Sequence, residues 1–449
     1  MSQSAMPPHR FAVPASLPLH AWFDGGRLTS DGGLAWLSDA DTALGLCAAL
    51  AQVIPDWRHG PVRHSLETLL RQRVFQIACG YEDQDDADFL RTDPLLKLVC
   101  GRLPVTDQDL ASQPTLSRLE NAVDRRTCYR LAQTLGHLYL QERGRDEIPS
   151  HILLDLDGTD DPTHGEQEGT AYHGYYRQHM YHPLLIFDGE TDQLVTAVLR
   201  PGTVHASHGA VAILKRIVRA LRARWPEVTI ELRADSGFAI PALYTWCEDE
   251  GIAYTIGLPT NDRLAAIAAP LLAEATRLQE ETGEKVRLAG ETQYAAGSWE
   301  CERRVVYKAE ALPKGPNTRF VVTTQTDPPL ERYNWYVRRG EPEQWIDELK
   351  NACFADRLSC HAFWANQFRL LLHAAAYMLL DTLRRRLMTR GVPRMRLDTL
   401  RLRLIKIGGW VRQRLSVVQL HLASSHPGQS LWELLAAHSN SQEDRPCRF

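Results

Sequence analysis

The chain has 449 residues, 44% hydrophobic and 24% charged, which is the balance of an ordinary globular protein long enough for two to four domains. No run approaches the roughly 18 uninterrupted apolar residues of a membrane helix, and the N-terminus lacks a basic start followed by an apolar core, so neither a membrane span nor a signal peptide is expected. Net charge is −4 and the nine cysteines include no C-x2-C pair, which disfavours a zinc module and a disulfide framework and suggests a reducing cytoplasm.

The average charge conceals segregation. Between Arg384 and Arg414 stand eleven Arg or Lys and a single acid, Asp398, a segment of +10 that leaves −14 on the rest. A second stripe carries Lys215, Arg216, Arg219, Arg222 and Arg224. Local clustering governs the field felt by a polyanion, although either stripe alone fits a solvated face equally well.

Residues 1–148 read as mostly helical. Ser30 and Asp31 are candidate caps, Gly80 a candidate stop, and the glycines of "DGGRLTSDGG" read as turns. A short helix led by Gln113, Pro114 and Thr115 is a candidate DNA-reading helix, with simple helical packing as its equal rival. From 149 to 260 the pattern turns to strands: "HILLDLDG", "HPLLIFDG", "QLVTAVLRPG", then an amphipathic helix and "VTIELRADSGF". Acids at the ends of the first and fourth strands, Asp157 and Asp235, match a ribonuclease-H-like α/β core. Residues 261–335 read as an inserted β-rich segment, 336–390 as the second part of the core, and 391–449 as a basic hairpin turning at Gly408-Gly409 with a tail that frays after about 435.

"YVRRGEPEQWIDELK" places Tyr336, Arg339, Glu343 and Lys350 in the pattern Y-x2-R-x3-E-x6-K. Pro342 and Gly340 predict a helix starting near Glu341, with Glu343 in its first turn. Seven helical residues turn through about 700°, so Glu343 and Lys350 share a face. Three carboxylates suit hard divalent ions, which prefer oxygen ligands, and two such ions can activate an attacking oxygen while stabilising a leaving one. Arg339 and Lys350 suit phosphate, Arg as a bidentate fork and Lys as a point charge.

These residues resemble the DDE-class insertion-sequence transposases of the branch called DDE transposase group 1. The resemblance extends over most of the chain through "FDGGRLTSDGG", "RVFQIACGYEDQDDADFLRTDPLLKL", "DLDGTDDPTHG", "YHGYYRQHMYHPL", "RADSGF", the Tyr-Arg-Glu-Lys block and "FWANQFRLLLHAAAYMLL". It implies a ribonuclease-H-like core preceded by a helical DNA-end-binding domain. It also implies two Mg²⁺ ions (or Mn²⁺) held by Asp157, Asp235 and Glu343, with strand cleavage and transfer at element ends. The implied partners are double-stranded DNA and a second protomer, in a bacterial cytoplasm and at the nucleoid when acting. Tyr336, Arg339, Lys350 and Trp299 would contact DNA, Trp299 by stacking on a flipped base.

Two rivals stand beside it. "DLDGT" read as a haloacid-dehalogenase-type phosphatase loop makes Asp155 the nucleophile and Asp157 the general acid. That reading lacks its later Gly-Asp-x3-Asp run and leaves Asp235 and the Tyr-Arg-Glu-Lys block unexplained. A domesticated, non-catalytic DNA-binding protein has no need of the acidic trio. On the transposase reading Asp155 is a neighbour on the same strand face as Asp157, and His173, His179 and His182 serve packing or DNA contact rather than metal. Asp160, Asp161 and His164 are expected to shape the site.

Overall fold

The computed structural model describes residues 9–11, 13–14, 17, 19–313 and 315–443. The chain forms two compact units, Met1–Leu119 with Leu379–Phe449, and Glu120–Met378.

The second unit is built on one mixed sheet. Its strands are β1 (His151–Gly158), β2 (Leu184–Asp188), β3 (Gln193–Val198), β4 (Thr229–Ala234), β5 (Ala253–Leu258), β6 (Val286–Tyr294), β7 (Arg303–Leu312) and β8 (Gly315–Thr323). They lie in the order β6-β7-β8-β5-β4-β1-β2-β3. β1, β4 and β5 run parallel; β2 pairs antiparallel with β1 and β3 antiparallel with β2, so of these five strands β2 is the reversed one. The order 3-2-1-4-5 with strand 2 reversed is a ribonuclease-H-like core. Residues 261–335 do not stand apart from it. Their three strands continue the same sheet through the antiparallel pairing of β5 with β8, and they arrive after a 21-residue helix.

Alternation along β1 sends Ile152, Leu154 and Leu156 into a core with Ile230 and Leu232 of β4. That core is sealed by the helix α1 (Ala210–Arg224), which buries Leu214, Val218 and Leu221, and by α2 (Pro241–Asp249). The charged stripe of α1 therefore faces outward, with Lys215, Arg216 and Arg219 exposed. The opposite sheet face carries Asp155 and Asp157. On that side α3 (Pro329–Val337), α4 (Gly340–Asn351) and the long helix α5 (Phe363–Met388) contribute Trp345 and Tyr377, both packed on Phe187.

The first unit is mainly helical, with a small sheet of Leu28–Thr29, Gly409–Gln413 and Val418–Leu422. Three local expectations are corrected here. The helix after "SDGG" starts at Leu34 with Gly33 as its cap, and Asp31 instead pairs with Lys406 at 2.8 Å. Gly32 and Gly33 are close-approach residues rather than simple turns, since a Cβ at Gly33 would lie 2.2 Å from the Leu404 carbonyl oxygen. The basic tail opens with helical turns, Leu397–Leu400 and Arg401–Ile405, and its hairpin turns between Gln413 and Val418 instead of at Gly408-Gly409.

Much of the expected basic surface is consumed internally. Arg384 and Arg385 pair with Asp381, Arg386 with Asp39, and Arg401 donates to the Ala78 carbonyl at 2.8 Å. Buried charge needs a partner, and these arginines find theirs inside the unit. Gly80 ends its helix with φ of 93°, as expected. Gln113–Asn121 is a helix with Leu116 and Leu119 buried and Pro114 and Arg118 exposed. The tail expected to fray after 435 is helical from Gln429 to Glu443, and its last residues, 444–449, lie outside the described ones. No single helix among the described residues is long and apolar enough to cross a membrane.

Candidate active site

Asp157 and Asp235 meet because β1 and β4 are parallel neighbours in register. Ala234 is paired with Leu156, so the next residue of each chain brings the two carboxylates side by side at the strand ends. Asp235 also caps the short turn Ser236–Phe238, accepting from the Gly237 amide at 2.9 Å, which fixes its rotamer.

The third acid comes from α4. The helix begins at Gly340, one residue before the expected start, with Glu343 in its first turn. Arg339 stands at its N-cap and reaches both sides of the cluster: its guanidinium lies 3.3 Å from Asp157 Oδ2 and 3.3 Å from Glu343 Oε1. Lys350, two turns later on the same face, donates to the Asp160 carbonyl at 2.8 Å and to Asp160 Oδ1 at 3.0 Å. Tyr336 lies in the last turn of α3 and is half-buried, and its ring neighbours Tyr333. The whole Tyr-Arg-Glu-Lys block thus converges on the ends of β1 and β4.

Electrostatics follow the geometry. Burial, with the charges of Asp235 and Glu343, pushes the Asp157 carboxyl up to about 7 despite the opposing Arg339. One guanidinium does not neutralise three acids. Burial also raises the Tyr336 phenol to about 12. Arg339 is held above its ordinary value, since Asp157, Tyr336, Asp235 and Glu343 outweigh its own desolvation. Although burial opposes it, Lys350 draws the Asp160 carboxyl below the usual range. Among the described residues no three His, Cys, Asp or Glu side chains are gathered as a closed ligand set. Glu343 is 63% exposed, with Arg339 as its ion-pair partner among the described residues.

Asp155 lies outside this cluster. It is 1% exposed and forms a two-pronged pair with Arg233, at 2.6 and 2.7 Å. Arg233 in turn lies 4.9 Å over the Trp335 ring. Burial raises the Asp155 carboxyl to about 6 while Arg233 restrains the rise. A carboxylate with both oxygens engaged in a closed ion pair is not placed to attack phosphorus, which removes the phosphatase reading. The pair braces β1 against β4 directly beneath the acids.

Trp299 does not join the acids. Its ring packs edge-on against Tyr244 and Tyr294, with the Arg303 guanidinium 5.4 Å above it. His182 presses on the strand end, its Nε2 2.8 Å from where a Cβ on Gly158 would be. His164 is exposed. Gly257 of β5 was silent in sequence, yet a Cβ there would lie 2.6 Å from the Tyr336 hydroxyl and 2.9 Å from the Ser236 amide nitrogen. An isolated glycine inside an apolar strand was the available signal.

Asp161 is 2% exposed, and neither carboxylate oxygen has a hydrogen-bond partner. Burial and the nearby Asp356 push its carboxyl well above the ordinary range. A carboxyl raised by folding stabilises the protein below its unfolded pKa, and that contribution is lost as pH rises toward the folded value. Asp161→Asn should therefore raise Tm, and by more at pH 8 than at pH 5. Equal shifts in melting experiments at the two pH values would show that Asp161 is ionised in the fold.

A family model described as Transposase DDE domain group 1 matches residues 11–441. The chain belongs to that family. A search of curated proteins gave no match. Among solved structures, the cryo-EM structure of a piggyBac transposase synaptic complex with hairpin DNA is similar at a TM-score of 0.43 and 12% identity, over 94% of this chain and 84% of that one. In this DDE transposase-family chain the strand-end acids and the helix carrying Glu343 come from segments far apart in sequence. Only the sheet unites them.

Proposed function

We propose that this chain is a DNA transposase that binds the ends of a mobile element and carries out metal-dependent strand cleavage and strand transfer. The observation that carries the reading is the convergence of Asp157, Asp235 and Glu343 around Arg339 at the ends of β1 and β4. Asp157 and Glu343 are bridged by Arg339, and Asp235 ends the adjoining strand. The site so offers carboxylate oxygens, the donors that Mg²⁺ or Mn²⁺ prefers, although they are not drawn together as a ready ligand set. Asp157, Asp235 and Glu343 would hold the metal, as two ions in the full arrangement. Bound there, it would supply Lewis acidity and lower the pKa of a water.

The residues of the chain do the rest. Arg339, which bridges Asp157 and Glu343 at the strand end, would grip phosphate there through its fork. Lys350, poised on Asp160, adds a second positive charge beside the strand end. In the first step a water oxygen bonds to phosphorus and the bond to the 3′ oxygen breaks, leaving a 3′-hydroxyl and a 5′-phosphate. In the second that hydroxyl attacks a target phosphodiester, forming one P–O bond as another breaks. We place this chemistry in a pair of protomers acting on two DNA ends in the cytoplasm, with the exposed arginines and lysines of α1 and the helical unit as supporting DNA surfaces.

The test is cleavage of duplex DNA carrying the sequences that flank this gene. Wild type should cut in Mg²⁺ or Mn²⁺ and stop on chelation. Cutting that survives chelation would refute the metal assignment, and binding without cutting in any divalent metal would refute the enzymatic one.

A further inference from the structure

The segment "YHGYYRQHMY" forms a hairpin whose function the acids leave unexplained. Ala171–His173 pairs with Gln178–Tyr181 across a turn at Gly174–Arg177. Arg177 closes the turn in the left-handed region, with φ of 56° and its amide 2.7 Å from the His173 carbonyl oxygen. The hairpin has two unlike faces.

Its inner face is tied to the site. Gln178 donates to Asp160 Oδ2 at 2.8 Å, and the other oxygen of that carboxylate receives Lys350. Tyr176 packs with His173 and His182, the latter pressed on the end of β1, and it is close enough to Asp160, Asp157 and Asp235 to feel their charges. The outer face is in water. Tyr175 is 84% exposed and Tyr172 58% exposed, with Arg177 and His179 also exposed beside them. Two tyrosine rings left in solvent on a turn braced against the acids are poorly explained by folding, which gains from burying them.

We propose that this hairpin is a base-stacking platform on which Tyr175, supported by Tyr172, holds an unpaired nucleobase of the DNA strand being cut. The proposal rests on the DNA-transferase reading and adds to it the nucleotide contacted. An unpaired base fits for three reasons. A tyrosine ring offers a flat face to any base. Arg177 supplies a cation for the adjoining phosphate. The inner face ties the turn to the site: Tyr175 packs edge-on against Tyr176 at 5.0 Å, and Tyr176 feels the charges of Asp157 and Asp235, where the scissile phosphate would lie. Trp299, partly buried against Tyr244, Tyr294 and Arg303, is more covered than Tyr175.

The test uses a duplex with a short 3′ overhang containing one 2-aminopurine, read by fluorescence, and a short oligodeoxythymidine, read by anisotropy. Binding by wild type should change the 2-aminopurine emission. Tyr175→Ala should abolish that change and weaken oligodeoxythymidine binding about ten-fold, in line with the typical loss of one base stack. Tyr175→Phe should restore both, and Tyr172→Ala should fall between. Because Tyr175 is so exposed, equal Tm values should show that the variants fold. DNA binding with an emission change identical in wild type and Tyr175→Ala would overturn the platform and leave the transferase reading standing. Failure of wild type to bind either probe or flanking-sequence duplex would overturn both. A change in sedimentation with Tyr175→Ala, without a change in DNA signals, would assign the tyrosines to contact between copies and overturn the platform.

Discussion

Glu343→Gln should cut DNA at least a thousand-fold more slowly than wild type while binding it with nearly the same affinity. The substitution keeps the shape of a side chain that is 63% exposed, so it costs the fold little. What it removes is one of three charges that a divalent cation would use and one of the two acids that Arg339 bridges. A thousand-fold loss corresponds to about 4 kcal/mol of transition-state stabilisation, at about 1.4 kcal/mol for each factor of ten. Asp157→Asn should behave likewise in cleavage and differ in stability. The Asp157 carboxyl is raised to about 7 in the fold, so its stabilising contribution, complete at low pH, is lost as pH rises toward that value. In the metal-free protein the Asn variant should therefore melt above wild type at pH 8. Lost activity with gained Tm would mark Asp157 as a residue kept for chemistry. Retained cleavage in either variant, measured by gel on flanking-sequence DNA, would remove these acids from the active centre. Asp155→Asn is not a neutral control beside them, because it strips a buried Arg233 of its partner, a change that typically costs about 3–5 kcal/mol.

Gly257→Ala should cripple the enzyme from a position that touches no substrate. The added methyl would meet the Tyr336 hydroxyl at 2.6 Å, the Ser236 amide nitrogen at 2.9 Å and the Asp235 carbonyl carbon at 3.2 Å. Two of these three neighbours are backbone and cannot rotate away. Overpacking of this kind costs about 1–3 kcal/mol of stability, and a shift of about 1 Å at Asp235 can lower the rate about a hundred-fold. Tyr336→Phe removes the nearest of the three atoms, so the double variant should recover part of the lost Tm and less of the lost rate. Gly297→Ala, where nothing lies within 4 Å, is the matched control. Cleavage by Gly257→Ala at the wild-type rate would show that β5 can yield without moving Asp235.

The local features of this chain were legible wherever one stretch of residues carried the whole instruction. "HILLDLDG" is β1 residue for residue because its alternation matches a strand of period two. Gly80 stopped its helix because a left-handed residue there is cheapest as glycine. The Tyr-Arg-Glu-Lys spacing placed Glu343 in a first helical turn because Gly340 and Pro342 mark a helix start. β5 and β6 went unnoticed, as "AYTIGL" and "VRLAGETQY" are both interrupted by glycine.

What the sequence determined by itself was the family and the residue types available for the proposed chemistry. Three acids, an arginine and a lysine at those spacings suit the oxygen ligation and phosphate contacts proposed above. Tertiary structure decided which charges are available for it. Asp155 and Asp157 are two residues apart on one strand face, yet Asp155 is closed off by Arg233 while Asp157 remains at the strand end beside Asp235. The arginines after residue 384 looked like a surface until Asp381, Asp39 and the Ala78 carbonyl engaged several of them. Burial and pairing depend on residues distant along the chain, and folding alone brings those partners within reach of a charge.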